Sequence, residues 1–288
     1  MSARLLKGAP VAAALTEELL ARSEKLAASG VRPTLAILRV GEREDDLSYE
    51  RGAMKRCEKC GIDVRNVILP ADVEEKVFFE TLEGLNADPL VHGILMFSPL
   101  PRHLDGERAR KTLACEKDVD GCTDLSLAGV FTGTKLGFPP CTAEAAMEIL
   151  RYYGIDPKGK RAAVIGRSLV IGRPVAMMLM HANATVTICH TKTADVPSVT
   201  READIIVAAS GQMESVDAKY LGENQVVIDV GIAWNEQKQK LCGDVLFEDA
   251  ERRASAITPV PGGVGAVTTA MLARHVVEAA ERSCGGSN

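Results

Sequence analysis

The chain has 288 residues, 46% of them hydrophobic and 25% charged, with a formal net charge of −5. That length suits two domains with a large core, and the acidic balance excludes a nucleic-acid footprint and a polybasic membrane anchor. No apolar run approaches a membrane span, Arg4 and Lys7 interrupt any secretory signal, and eight scattered cysteines fit reduced thiols in a cytoplasm.

Hydrophobic spacing predicts a helix over 11–26, with Gly30 as its stop. A strand over 34–40 ends at Gly41, and Asp45 or Asp46 is a candidate cap for a helix over 47–59. Within that helix Cys57 and Cys60 form a C-x-x-C without a second pair at zinc-finger spacing, so it reads as helix packing and no metal is expected. A strand over 63–69, a helix over 73–85, a strand over 91–97 and a helix over 106–112 follow. Residues 117–140 read as a loop-rich section, and a long helix over 142–153 leads into the second half. There, apolar strands are expected at 162–165, 184–189, 204–210 and 225–230, a tight loop over 256–265, and a last helix over 266–281. Strands alternating with helices in both halves make this an α/β protein of two domains with mostly parallel sheets.

The most informative stretch is Arg161 to Thr191. A buried strand ends at Gly166, a polar turn follows, and Gly172 and Pro174 open a helix before the next strand. Unpaired backbone N–H groups at such a helix start, at the positive end of its dipole, suit the pyrophosphate of a dinucleotide. Five residues separate Gly166 and Gly172, which is not the common G-x-G-x-x-G spacing, so an ordinary strand-to-helix turn stays open. In a standard unit of this kind an acid after the second strand holds the ribose hydroxyl of NAD. Here that strand runs into His190, Thr191 and Lys192. Arg167, Thr191 and Lys192 suit a 2′-phosphate, which favours NADP while NAD stays possible. Arg167 and Lys192 as plain surface charges are the alternative.

Several motifs occur together in one order. They are Ser48-Tyr49 through Cys57 and Gly61, Gly93-Ile-Leu with Pro99-Leu-Pro101, Lys117-Asp-Val-Asp-Gly121, and Pro140-Cys-Thr142. Val164-Ile-Gly-Arg-Ser168 with Gly172-Arg-Pro174, Val227-Ile-Asp-Val-Gly-Ile232, Gly243-Asp-Val245 and Thr258-Pro-Val-Pro-Gly-Gly-Val-Gly265 complete the set. On these the chain resembles the methylenetetrahydrofolate dehydrogenase/cyclohydrolase family over essentially its whole length, with a likeness to the monofunctional dehydrogenases. The resemblance implies a folate-side domain over 1–141 onto which a final helix over 267–288 packs back. It also implies a Rossmann-like domain over 142–266, a cleft between the two, a homodimer, and oxidation of 5,10-methylenetetrahydrofolate by a nicotinamide cofactor.

It further implies roles for single residues. Tyr49 and Asp120 are the expected catalytic residues, and with Leu100, Pro261, Gly262 and Gly263 they form the expected folate site. A carboxylate can accept hydrogen bonds from the amino-pyrimidinone edge, a phenol can stack or hydrogen-bond, and glycines permit close backbone approach. Without the resemblance, Asp120 would read as a turn former and Tyr49 as core-edge packing. Gly166, Arg167, Ser168, Ile171, Gly172, Thr191, Gly211, Gly231 and Ile232 are the expected cofactor contacts.

Two positions depart from the family pattern. Its bifunctional members carry a lysine four residues after the tyrosine, where this chain has Ala53, and a glutamine where it has Phe97. Lys55 is six residues after Tyr49; at ~100° per residue it points ~120° away from the tyrosine's face, whereas four steps come within ~40°. Arg56 returns to that face but ~10 Å along the axis. General acid–base help of the missing kind is worth about two to four orders of magnitude. The expectation is therefore retained hydride transfer with weak or absent methenyl hydrolysis. The alternative is a fully bifunctional enzyme in which Lys55 or another group substitutes. Ala143 and the pair Ala266-Val267 are further departures, read as packing changes.

Overall fold

The computed structural model describes residues 2–285. In chain order the first elements are β1 (Arg4–Leu5), α1 (Gly8–Ala28), β2 (Thr34–Val40), α2 (Glu44–Lys59), β3 (Asp63–Leu69), α3 (Glu75–Ala87) and β4 (Gly93–Met96). Next come α4 (Gly106–Thr112), α5 (Asp124–Thr132), α6 (Cys141–Tyr152), β5 (Arg161–Ile165), α7 (Gly172–His181) and β6 (Thr185–Cys189). The chain continues with α8 (Val196–Arg201), β7 (Ile205–Ala208), β8 (Val226–Asp229), β9 (Ala233–Asn235) and β10 (Lys240–Cys242). It ends with α9 (Phe247–Arg253), β11 (Ala256–Ile257) and α10 (Gly265–Gly285).

Two compact units result, Ala13–Cys141 with Thr269–Asn288, and Met1–Ala12 with Thr142–Thr268. A division at 141 puts the chain start in the first domain, yet β1 pairs in parallel with β11 and belongs to the second unit's sheet. Of the final helix expected over 267–288, residues 286–288 lie outside the described residues.

The first unit holds a parallel three-stranded sheet in the order β3-β2-β4. From Leu35 on, β2 is buried on both faces, which is why it reads as an unbroken apolar run apart from Arg39. Below it, Ala36, Leu38 and Val40 meet Phe78, Phe79, Leu82 and Leu85 of α3 and Ile94 and Met96 of β4. Phe78 and Leu82 lie one helical turn apart and are fully buried, each contributing about 1.5–3 kcal/mol of transfer free energy. Arg39 is compensated: its Nε donates to Glu50 Oε2 of α2 at 2.7 Å, with both side chains nearly buried.

The second unit is a parallel six-stranded sheet in the order β1-β11-β8-β7-β5-β6. From β5 the chain crosses to β6 on one side, then returns to β7 on the other. The carboxyl ends of β5 and β7 thus form a topological switch point, where open parallel sheets receive ligands. β9 and β10 make a separate antiparallel hairpin.

Two local expectations need correction, and a third gains detail. Asp45 and Asp46 do not cap α2: Arg43 is the cap residue, and both acids sit inside the first turn, where they suit the helix dipole. Within the loop-rich section 117–140, Thr123 caps the short helix α5 by accepting the Ser126 N–H at 3.1 Å. Ahead of the tight turn at 258–265, Ala256–Ile257 is a strand paired with β8.

Candidate functional site

Candidate groups occur in each unit. In the first, α2 carries a buried stripe of Asp46, Glu50, Ala53 and Cys57, recurring every three or four residues. Ala53 is completely buried. Tyr49 stands beside this stripe, half-buried, and meets Phe97 edge-on at 6.1 Å between ring centres. Burial, reinforced by the negative charge of Asp120, raises the Tyr49 phenol well above its ordinary range, so it stays protonated. Lys55 is exposed and lines a shallow surface cavity with Arg32, Arg51, Met54 and Glu58. Arg56 donates to Thr16 of α1.

Asp120 belongs to a tight loop built on its neighbour. Asp118 is fully buried and accepts from the N–H groups of Cys122 (3.0 Å) and Thr123 (2.7 Å) and from the Ser126 hydroxyl (2.6 Å). Burial pushes the Asp120 carboxyl up to about 6, against a hydrogen bond from Cys141 that lowers it; the Asp118 charge adds to the rise and His275 opposes it. The Cys141 thiol also reaches the Val119 carbonyl at 3.2 Å. His275 Nδ1 lies 2.7 Å from that carbonyl, which can only accept, so Nδ1 carries the proton. The structure thus brings together Tyr49, Phe97 and Asp120, with Cys141 and His275 behind the carboxylate. Leu100, half-buried, packs against the apolar cluster between the sheet and α3. The 260–263 turn belongs to the second unit, where the Gly8 N–H donates to the Gly262 carbonyl at 2.8 Å.

In the second unit the turn after β5 tests the dinucleotide reading. Gly166 has φ +122°, and a Cβ there would come within 2.0 Å of the Ala209 carbonyl oxygen. A Cβ on Gly172 would meet the Gly166 carbonyl oxygen at 2.4 Å. Side chains are thus excluded where a helix start faces the switch point, the cradle a pyrophosphate requires. The Ser168 hydroxyl accepts from the Ile171 N–H at 3.1 Å and shapes that turn. Arg167, Thr191 and Lys192 are exposed on the loops that leave the neighbouring strands β5 and β6. Gly211 follows β7, and Gly231 with exposed Ile232 follows β8.

Some residues escaped the sequence reading. Cys141 entered only as part of the motif Pro140-Cys-Thr142 and His275 not at all, the two being 134 positions apart. Asp229 and Asp244, each inside a quoted motif, are buried acids whose pairing nothing along the chain marks. Among the described residues no group of His, Cys, Asp or Glu is arranged to hold a metal, and no helix is long and apolar enough to cross a membrane.

Comparison with known proteins adds to this geometry. Residues 6–120 match the family model described as tetrahydrofolate dehydrogenase/cyclohydrolase, catalytic domain, and residues 140–284 match its NAD(P)-binding domain. The bifunctional protein FolD of Carboxydothermus hydrogenoformans is 51% identical over 97% of this chain and 98% of its own. The crystal structure of the FolD methylenetetrahydrofolate dehydrogenase/cyclohydrolase from Campylobacter jejuni superposes with a TM-score of 0.94 at 38% identity, covering 98% of this chain and 99% of that one. The Trypanosoma brucei enzyme, solved with NADP and an inhibitor, gives 0.91 at 35% identity, with 99% of each chain covered.

Proposed function

Because the chain belongs to the tetrahydrofolate dehydrogenase/cyclohydrolase family, we propose that it oxidises 5,10-methylenetetrahydrofolate to the methenyl form with NADP as hydride acceptor, NAD being the alternative. The observation that carries this is the Gly166–Gly172 cradle at the switch point of a parallel sheet. When bound, the nicotinamide accepts the hydride. Gly166, Arg167, Ser168, Ile171, Gly172, Thr191, Gly211, Gly231 and Ile232 would hold the cofactor, with Arg167 and Thr191 toward a 2′-phosphate. The Trypanosoma brucei relative, described with NADP, supports that choice.

On the folate side the chain's task is positioning. As hydride leaves the methylene carbon, positive charge spreads over the two flanking nitrogens, and Asp120, Tyr49 and Leu100 would orient the pterin. Relatives named bifunctional, at 46–51% identity, favour a second activity here too. Water would attack the methenyl carbon, lose a proton to a base, and open one carbon–nitrogen bond. Lys55 faces solvent, so the substituting group is another. The second reading, weak or absent hydrolysis, draws on one observation: Ala53 and Phe97 beside Tyr49 have no titratable or hydrogen-bonding group.

One assay decides between them. Methenyltetrahydrofolate, followed by its near-UV absorbance, should disappear faster with enzyme than without. Decay at the spontaneous rate, in a preparation that still reduces NADP from methylenetetrahydrofolate, would establish the second reading. We also propose a homodimer, because β3 is an edge strand with exposed Ile68, and a cytoplasmic setting, because all eight cysteines are unpaired.

A further inference from the structure

Two nearly buried carboxylates lie behind the loops that follow β7 and β8. Asp229, 3% exposed, closes β8, and Asp244, 2% exposed, follows β10. Asp229 Oδ1 accepts from the N–H groups of Gly231 and Asp244, each at 3.0 Å, and its Oδ2 accepts from Val245 at 3.0 Å. Asp244 Oδ2 accepts from the Gly211 N–H at 2.9 Å and from the Ser210 hydroxyl at 3.0 Å. Thr258 anchors the assembly from β11's end, accepting from the Asp229 N–H at 2.7 Å.

The fit leaves no slack. A Cβ on Gly231 would lie 2.3 Å from Asp244 Oδ1, and one on Gly243 would lie 1.9 Å from Asp229 Oδ2. Three segments that are distant in sequence, 210–211, 231 and 243–245, therefore form one hydrogen-bonded body hung on two side chains. An ionised carboxylate suits this, being an acceptor only, with about four lone-pair directions for backbone donors. The first two segments leave the carboxyl ends of β7 and β8, where a parallel sheet presents its ligand-binding loops.

We propose that Asp229 and Asp244 are positioning residues for the nicotinamide cofactor, holding the loops after β7 and β8 in their receiving shape without touching it. This rests on the cofactor reading above. Burial pushes the Asp229 carboxyl up to about 7 in spite of its three N–H bonds, with the Asp244 charge adding to the rise, as expected of two acids sharing one pocket.

The test is calorimetric titration of the full-length protein with NADP and with NAD, alongside steady-state kinetics. Wild-type protein that binds neither nucleotide would remove the cofactor reading and this proposal with it. Given wild-type binding, Asp244→Ala should weaken the preferred nucleotide about tenfold or more, the scale on which misplaced binding groups act. The folate KM, and kcat at saturating nucleotide, should stay within about threefold, a split that general destabilisation would not produce. Asp244→Asn, which can still turn an oxygen to Gly211, should recover most of the affinity. Should Asp244→Ala fail to fold, Ser210→Ala leaves both carboxylates in place, removes the hydroxyl that donates to Asp244 and accepts from the Gln212 N–H, and should weaken the nucleotide about threefold. Affinity unchanged in whichever of these two variants is measured, or a loss falling equally on folate and nucleotide, would overturn the proposal.

Discussion

Asp120 shows how burial tunes one residue in opposite directions for stability and for binding. Its carboxyl rises from 3.8 to about 6 on folding, chiefly through burial. The folded state therefore holds a proton that the unfolded chain has released between those values. The stability this contributes is complete below about pH 3.8 and is lost as pH rises through about 6. Asp120→Asn should accordingly melt higher than the wild type at pH 7.5, with the difference shrinking toward pH 4. The same ionisation supplies the acceptor expected to hold the pterin, so kcat/KM for the folate should climb through about pH 6 and the variant should lose that limb. A flat wild-type profile between pH 5 and 7 would contradict the role given to this carboxylate. At this scale much was legible: Ala53 and Phe97 stand out against the family pattern, and 100° per residue already turns Lys55 away from Tyr49. His275 was not, and the motifs holding Asp118 and Cys141 did not say what those side chains bond, since nothing local marks a side chain whose partners arrive from another element.

Among elements, the β5–α7 turn is the most constrained. Gly166→Ala must both adopt φ +122° and push the Ala209 carbonyl aside. Gly211→Ala shares a left-handed φ, +68°, but has nothing within 4 Å of the new Cβ. The second change should cost about 1–2 kcal/mol, the ordinary penalty of that backbone region, and the first distinctly more. Urea denaturation of the two variants measures the order, and equal losses would mean that the turn relaxes freely. Strand β2 and helix α4 were readable to the residue because apolar runs and polar stops coincide there. Helix α5 was not: its sequence DLSLAGVFT has no polar face to set a 3.6-residue period, and Thr123 and Asp118 start it through side-chain bonds. The hairpin of β9 and β10 and the short helices α8 and α9 lack the length that makes periodicity visible.

For the whole molecule the proposed dimer and the thiols give separate checks. β3 is bonded to β2 on one side, while Ile68 is 53% exposed, an edge that a second copy could cover. Light scattering should return twice the mass of one chain, and Ile68→Lys should shift the distribution toward a single chain. A monomeric wild type would exclude the arrangement. Of the eight free cysteines only Cys284 is exposed, six are buried and Cys122 is intermediate. Burial pushes Cys57 up to about 12 and raises Cys60, Cys115, Cys122, Cys189 and Cys242 as well. One thiol should thus react rapidly with a chromogenic disulfide in native protein and the others only on unfolding.

The amino-acid sequence by itself determined the α/β alternation, the mostly parallel sheets, the spacing of Gly166 and Gly172, and the family. These depend on spacing along the chain, and spacing survives without coordinates. Only the tertiary structure decided that Arg4–Leu5 join the second sheet as β1, and that Asp120 is backed by Cys141 and His275. It alone showed Asp229 and Asp244 tying three distant segments together. Each of these is a hydrogen bond or a burial between residues far apart in sequence, and the energy of such a contact has no trace in local pattern until the fold brings its partners within about 3 Å.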